Sequence, residues 1–263
     1  MRYVKIKREE IGECNICGRT ERLTWDHIPP KVAGNTSPVT LMTAIQAITG
    51  NSEEGGVGIS QNGYKLRTLC GGCNSKVGRE YDPVIGDLCS DITAYLQSPL
   101  MLPVEARFDT IPNRLLRGIF SHMLASKLRP NHNVVSEHIR AFLSSPAGRL
   151  DPSLHLNYWL YPYPEIAVTN DFGLLLYDGG TREYGLYSVM KFPPLALLLT
   201  NVPRFPQIPD LCEFARFGLD DPGRIVLRFD RITAQGWPER DGMVLGGETL
   251  RESVWAAPKK RRV

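Results

Sequence analysis

The chain has 263 residues, of which 42% are hydrophobic and 22% charged, the balance of an ordinary globular protein with enough chain for two small cores. No apolar run approaches the roughly 18 residues a membrane span requires, and the opening MRYVKIKREE lacks the apolar stretch of a secretory signal, so a soluble, cytoplasmic protein with no membrane partner is expected. The net charge of +3 is too small for overall basicity to argue for nucleic acid, and only local charge can carry that argument.

The first readable element is a CxxC pair, Cys14 and Cys17 in CNIC. A second, Cys70 and Cys73 in CGGC, follows after 52 intervening residues, while Cys89 and Cys212 stand apart. Two thiolates three positions apart in a tight turn grip a metal ion from one side, so two such pairs read as a four-cysteine structural zinc site. A redox pair needs only one CxxC, and a disulfide framework does not suit a reducing compartment.

Between the pairs lies LTWDHIPPK, residues 23–31, where Asp26 stands directly against His27. Bridging the cysteines brings this stretch close to CNSKVGREYD, although His27 and Asn74 are 47 positions apart. Asp26 and Asn74 offer the oxygen donors that hard divalent cations prefer, and His27 is a base that is neutral at pH 7. Phosphodiester hydrolysis needs such a base for water, a Lewis acid at the phosphate, and cations for the remaining charge. The segment YKLRTLCGGCNSKVGR, residues 64–79, supplies Lys65, Arg67, Lys76 and Arg79 with no acidic residue. Those cations suit flanking phosphates, although a solvated face is the plainer reading of any such cluster.

Residues 14–79 resemble the HNH endonucleases, a branch of the ββα-metal nucleases. The resemblance rests on the first CxxC, on DHIPPK from Asp26 to Lys31, and on LRTLCGGCNSKVG from Leu66 to Gly78. It implies a zinc-stapled ββα module in which His27 is the general base. Asp26 and Asn74 would hold a catalytic Mg2+ or Mn2+, apart from a structural Zn2+ on Cys14, Cys17, Cys70 and Cys73. The implied substrate is DNA, with RNA as an alternative, and the implied settings include restriction or other defence against phage. One position departs from the pattern: Lys65 stands where the family has a middle Asn, nine positions ahead of the final metal ligand. Asn62 or Gln61 would then have to orient His27, or Lys65 itself would turn to phosphate. The competing expectation is a catalytically degenerate zinc module that binds nucleic acid or a partner protein.

An insert of roughly thirty residues separates Lys31 from Tyr64, where a compact motif needs a short turn. Apolar spacing in LMTAIQAIT, residues 41–49, predicts a helix there, followed by a polar loop. That insert reads either as an excursion or as a substrate-gripping loop.

After Cys73 a helix carries Asn74 on its first turn, and Asp82 and Pro83 then start a new helix to about residue 97, with Val84, Leu88, Ile92 and Tyr95 or Leu96 inward. The proline-bearing stretch 98–112 marks a boundary. Amphipathic helices are expected over residues 113–128, with Leu116, Ile119, Phe120, Met123 and Leu124 inward, and over residues 134–144. His122 and His138 on them read as polar-edge or core histidines satisfied by neighbours. Strand patterns follow in LHLNYWLYP, EIAVTN, GLLLYD, YGLYSVMKF, LALLLTN and RIVLRFD, with a hairpin at DGG, residues 178–180. In NYWLYPYP, alternation expects half of the aromatics in the core, and base stacking is the lesser alternative. The terminal PKKRRV resembles a nuclear localisation signal and equally a phosphate-contacting arm or a solvated end. The expected architecture is α+β and mostly antiparallel, with residues 1–100 as the zinc-stapled module, 110–257 as a second domain of unknown role that can support a homodimer or a partner protein, and 258–263 as a basic tail.

Overall fold

A computed structural model describes residues 9–43, 58–99, 101–178, 181–202, 205–238 and 254–259. Strands β1 (Ile11–Glu13), β2 (Thr20–His27) and β5 (Lys65–Cys70) form a three-stranded antiparallel sheet in the order β1-β2-β5. β5 runs directly into helix α1 (Gly71–Glu80), whose N-cap is Cys70: its sulfur accepts from the Cys73 N–H. Tyr81 then breaks the helix, and α2 (Asp82–Leu96) starts with Pro83 in its first turn, where a missing N–H costs nothing. Its buried stripe is Ile85, Leu88 and Ile92; Val84, expected inward, is only half-buried.

Helix α3 (Pro112–Ala125) lies at the centre, with every residue except Arg114 buried. The expected two-faced helix is thus corrected to one covered on all sides, and its polar residues satisfy one another or neighbouring backbone. Arg117 is 1% exposed and donates to Asn113 Oδ1 (2.9 Å) and to the carbonyls of Phe142 (2.8 Å) and Pro146 (3.0 Å). Helix α4 (Val134–Ser144) is capped by the Asn133 side chain, as the sequence pattern predicts for its span.

A seven-stranded antiparallel sheet has the order β4-β3-β12-β8-β9-β10-β7. Its strands are β3 (Val39–Thr43), β4 (Gly58–Ser60), β7 (His155–Leu160), β8 (Ile166–Asp178), β9 (Thr181–Phe192), β10 (Leu195–Thr200) and β12 (Val254–Pro258). A two-stranded ribbon pairs β6 (Glu105–Thr110) with β11 (Gly223–Arg228). The fold is therefore α+β and mostly antiparallel.

Several local expectations change. Leu41–Thr43 finish a strand instead of starting a helix, because β12 pairs with them across the chain; residues 44–57 lie outside the described residues. The two strands expected over 165–170 and 173–178 are one strand with a bulge between Thr169 and Phe172. The proline-bearing stretch 98–112 contains β6. Tyr158, Trp159 and Tyr161 are all buried, since the two faces of β7 enter different apolar clusters. Alternation in exposure fails when both faces are covered. The DGG hairpin closes with Asp178 opposite Thr181, its two glycines lying outside the described residues. Pro258 belongs to β12 and Lys259 N–H donates to the Pro38 carbonyl; residues 260–263 are not described. Among the described residues, no helix is long and apolar enough to cross a membrane.

The first sheet is fastened to α3 by polar contacts as well as apolar ones. Asn15, in the turn after β1, is 1% exposed and donates to the carbonyls of Leu124 (2.8 Å) and Lys127 (2.7 Å) at the end of α3. Thr68 Oγ1 donates to the Ala125 carbonyl (2.7 Å). These bonds satisfy carbonyls that a helix end leaves open. Asn15→Ala removes the side-chain donor of the Lys127 carbonyl and one of the donors to the Leu124 carbonyl and should lower stability by about 1–2 kcal/mol, read as a fall in the denaturant midpoint.

Candidate functional site

The turn between β1 and β2 and the junction of β5 with α1 bring the two CxxC pairs together. The sulfurs of Cys14, Cys17, Cys70 and Cys73 all lie within 4.8 Å of one another. Cys17 and Cys70 are 3.8 Å apart, the edge of a tetrahedron whose metal–sulfur bonds are about 2.3 Å. The turn closes through Gly18 at φ 72°, whose N–H donates to the Cys14 carbonyl, a left-handed conformation that glycine adopts without strain. A hydrogen bond from the Cys73 thiol, aided by backbone N–H groups and opposed by burial, holds Cys14 down to about 4. Cys73 is pushed up because it keeps its proton while donating the hydrogen bond to Cys14, and Cys70 is pushed up by burial. Thiols this close ionise together only around a cation, so the cluster can hold a structural metal ion such as zinc. Among the described residues it is the one group of three or more His, Cys, Asp or Glu side chains so arranged.

The adjacent β2 carries the second group. A bulge between Thr24 and Trp25 resets the alternation. Trp25 then sits opposite Arg67 and His27 opposite Lys65, which puts these four side chains on one outer face. Asp26 points inward and is 6% exposed. Asn74, on the first turn of α1, donates its amide to Thr24 Oγ1 (2.9 Å) and the Trp25 carbonyl (3.1 Å). It thereby reaches both residues that precede Asp26, and its Oδ1 makes no hydrogen bond with the described residues.

His27 Nε2 lies 3.0 Å from the Asn62 carbonyl oxygen. With Nε2–H donating there, Nδ1 keeps its lone pair. Burial pushes the imidazole below its ordinary value and Lys31 and Lys65 push the same way, against the opposing pull of the Asn62 carbonyl and Asp26. The ring is therefore neutral at pH 7. The orienting carbonyl is itself fixed: Gly63 has φ 67°, and a Cβ there would overlap the Asn35 carbonyl. Asn35 donates to the carbonyls of Pro29 (2.7 Å) and Tyr64 (2.8 Å) and accepts from Tyr64 N–H (2.7 Å). Of the two loop residues that the sequence offers for orienting His27, Asn62 is the one that meets it, through its backbone carbonyl and not its side chain.

Asp26 meets a partner that the local motif does not contain. Its Oδ2 lies 3.5 Å from Nδ1 of His122 on α3, and neither atom has a hydrogen bond. On its other side His122 Nε2 is 2.9 Å from Asp82 Oδ1 at the start of α2. Burial alone would lower His122, but Asp26 and then Asp82 outweigh it and raise the imidazole to about 10. A protonated histidine thus sits fully buried between two carboxylates. His122 is a core histidine, the expected kind, flanked by carboxylates and hydrogen-bonded to Asp82 alone, while His138 meets Asp151 at the surface (3.3 Å).

The four cations of residues 64–79 separate. Lys65 and Arg67 share the outer face with His27. Lys76 lines a cavity of about 700 Å³ beside Cys17, Arg19 and Arg140. Arg79 pairs with Glu80 at 3.0 Å. No protein-family model matches the chain, and no match arises among curated proteins or solved structures.

His122→Leu removes the cation between the buried Asp26 carboxylate and the half-buried one of Asp82 and should destabilise the protein by about 3 kcal/mol or more. Chemical denaturation of the variant, with bound metal measured in parallel, checks this: the four-cysteine cluster lies elsewhere and should keep its ion.

Proposed function

We propose that this chain is a metal-dependent endonuclease of the HNH kind that hydrolyses phosphodiester bonds in DNA. The observation that carries the proposal is the neutral His27, oriented by the Asn62 carbonyl on an outer face shared with Lys65 and Arg67, on the strand that carries Asp26 on its other face and accepts the Asn74 amide. In this reading the four cysteines hold zinc as a staple, which organises the site and takes no part in the reaction.

Asp26 and Asn74 offer oxygen donors of the kind a hard divalent ion such as Mg2+ or Mn2+ prefers, but Asp26 Oδ2 is buried against His122, so the ion would draw the carboxylate away from that imidazole, with waters or phosphate oxygens completing the shell. A bound ion would supply Lewis acidity at the scissile phosphate and its leaving oxygen. His27 takes the proton of the attacking water on Nδ1 while Nε2 stays bonded to Asn62. Lys65 and Arg67 neutralise flanking phosphates, and His122 holds the Asp26 carboxylate from behind. A role in restriction or defence against phage rests on family likeness alone.

One observation favours the second reading, a catalytically degenerate zinc module that binds nucleic acid or a protein. The Asp26 charge is already matched by His122, which competes with any ion on the same carboxylate. Plasmid cleavage by the zinc-loaded protein with added Mg2+ or Mn2+ separates the two. The nuclease reading predicts cutting that falls at least about 100-fold in His27→Ala, with fold and zinc content unchanged. Wild-type protein that leaves the plasmid intact under both ions would favour the binding module. Cys70→Ser should lose zinc and melt at a markedly lower temperature in either case.

A further inference from the structure

Trp25 is an exposed tryptophan in a place where exposure needs a reason. It keeps 40% of its surface open, whereas Trp159 is 6% exposed and Trp237 is half-buried. Its ring is held by the Arg67 guanidinium at 4.9 Å and the Lys65 ammonium at 5.9 Å. Neither cation forms an ion pair with an acidic side chain among the described residues, in contrast to Arg79 with Glu80, Arg114 with Asp220 and Arg140 with Glu137. The charge of this patch is thus left for an outside anion, and the apolar element at its middle is a single flat ring.

We infer that Trp25 is a stacking platform for an unpaired nucleobase of the bound DNA strand, with Lys65 and Arg67 on the neighbouring phosphates. The inference rests on the nuclease reading for its polynucleotide ligand and adds the strand form. An indole stacks on any base, because every base has a π-face, and cations beside it follow the backbone. In intact duplex those faces are already covered by neighbouring bases, so the platform works only on a single strand, a gap or an unstacked step. Trp25 and His27 are two positions apart on one strand face, about 7 Å. An unstacked strand spans more per nucleotide than the about 3.4 Å rise of duplex, so a base on Trp25 lies within two nucleotides of a phosphate at His27. The platform would therefore set where the strand is held relative to the bond that His27 addresses.

Fluorescence anisotropy with full-length, zinc-loaded protein and no added Mg2+ tests this, using a labelled single-stranded oligonucleotide and the matching duplex. Wild type is expected to bind the single strand more tightly. Trp25→Ala should weaken single-strand binding about tenfold or more and leave duplex binding nearly unchanged. Trp25→Phe should keep most of the affinity, while the quenching of intrinsic tryptophan fluorescence on binding disappears. Equal loss for both forms, no loss in Trp25→Ala variants of normal zinc content, or no binding of either form overturns the inference. Plasmid cleavage by the same proteins keeps the two ideas apart. If wild type cuts and Trp25→Ala binds as wild type, only the platform falls. If wild type does not cut yet single-strand binding depends on Trp25, the nuclease reading falls and the platform stands in a binding module.

Discussion

Four sulfurs within 4.8 Å are the constraint on which the candidate site depends. As thiolates, sulfurs brought together from turns 52 residues apart in sequence repel; an ion among them would turn that repulsion into a staple contributing on the order of 10 kcal/mol. The staple does more than close a loop. By fixing the turn after β1 to the start of α1, it sets β2 against β5 and places Asn74 under the backbone of Trp25. Asn15, one residue from a cysteine, reaches from the same turn to the end of α3, so the position of the sulfurs and the docking of the central helix are set together.

The second organising feature is buried charge on and around α3. Arg117, His122 and Lys127 are each at most 5% exposed, and each is matched by carbonyls or carboxylates from other elements. Lys127 reaches Ser136 Oγ (2.7 Å) and Asp171 (2.8 Å), while His122 joins β2 to α2. Such groups add little net stability over apolar substitutes, but they are costly to leave half-paired, and they therefore fix which segments meet. Asp26 illustrates the consequence: a residue of the motif strand has its charge set by a helix far along the chain. The same carboxylate is asked to serve the core and the proposed ion, and that tension is what gives the binding-module reading its force.

What the sequence made legible was local. Paired cysteine spacings, the proline that opens α2 and the apolar spacing of α4 act within a few residues, and the strands β7 to β11 show in their apolar patterns. What it hid was set by distant partners. Leu41–Thr43 carry a helical spacing yet join a sheet because β12 lies beside them. His27 is oriented by a backbone carbonyl, which has no residue-type signature. The salt bridge of His122 and the exposure of Trp25 depend on a bulge in β2 and on the seating of α3, and no window of sequence contains either.

The central claim is that Asp26 and Asn74 form a hard-metal site beside a separate structural zinc. Titrating Mn2+ into zinc-loaded protein, followed by electron paramagnetic resonance, tests it most directly. The account predicts one bound Mn2+ per chain in addition to zinc, lost in Asp26→Ala and in Asn74→Ala and retained in Lys76→Ala. Protein that keeps its zinc and binds no Mn2+, or binds it equally well without Asp26, would contradict the account.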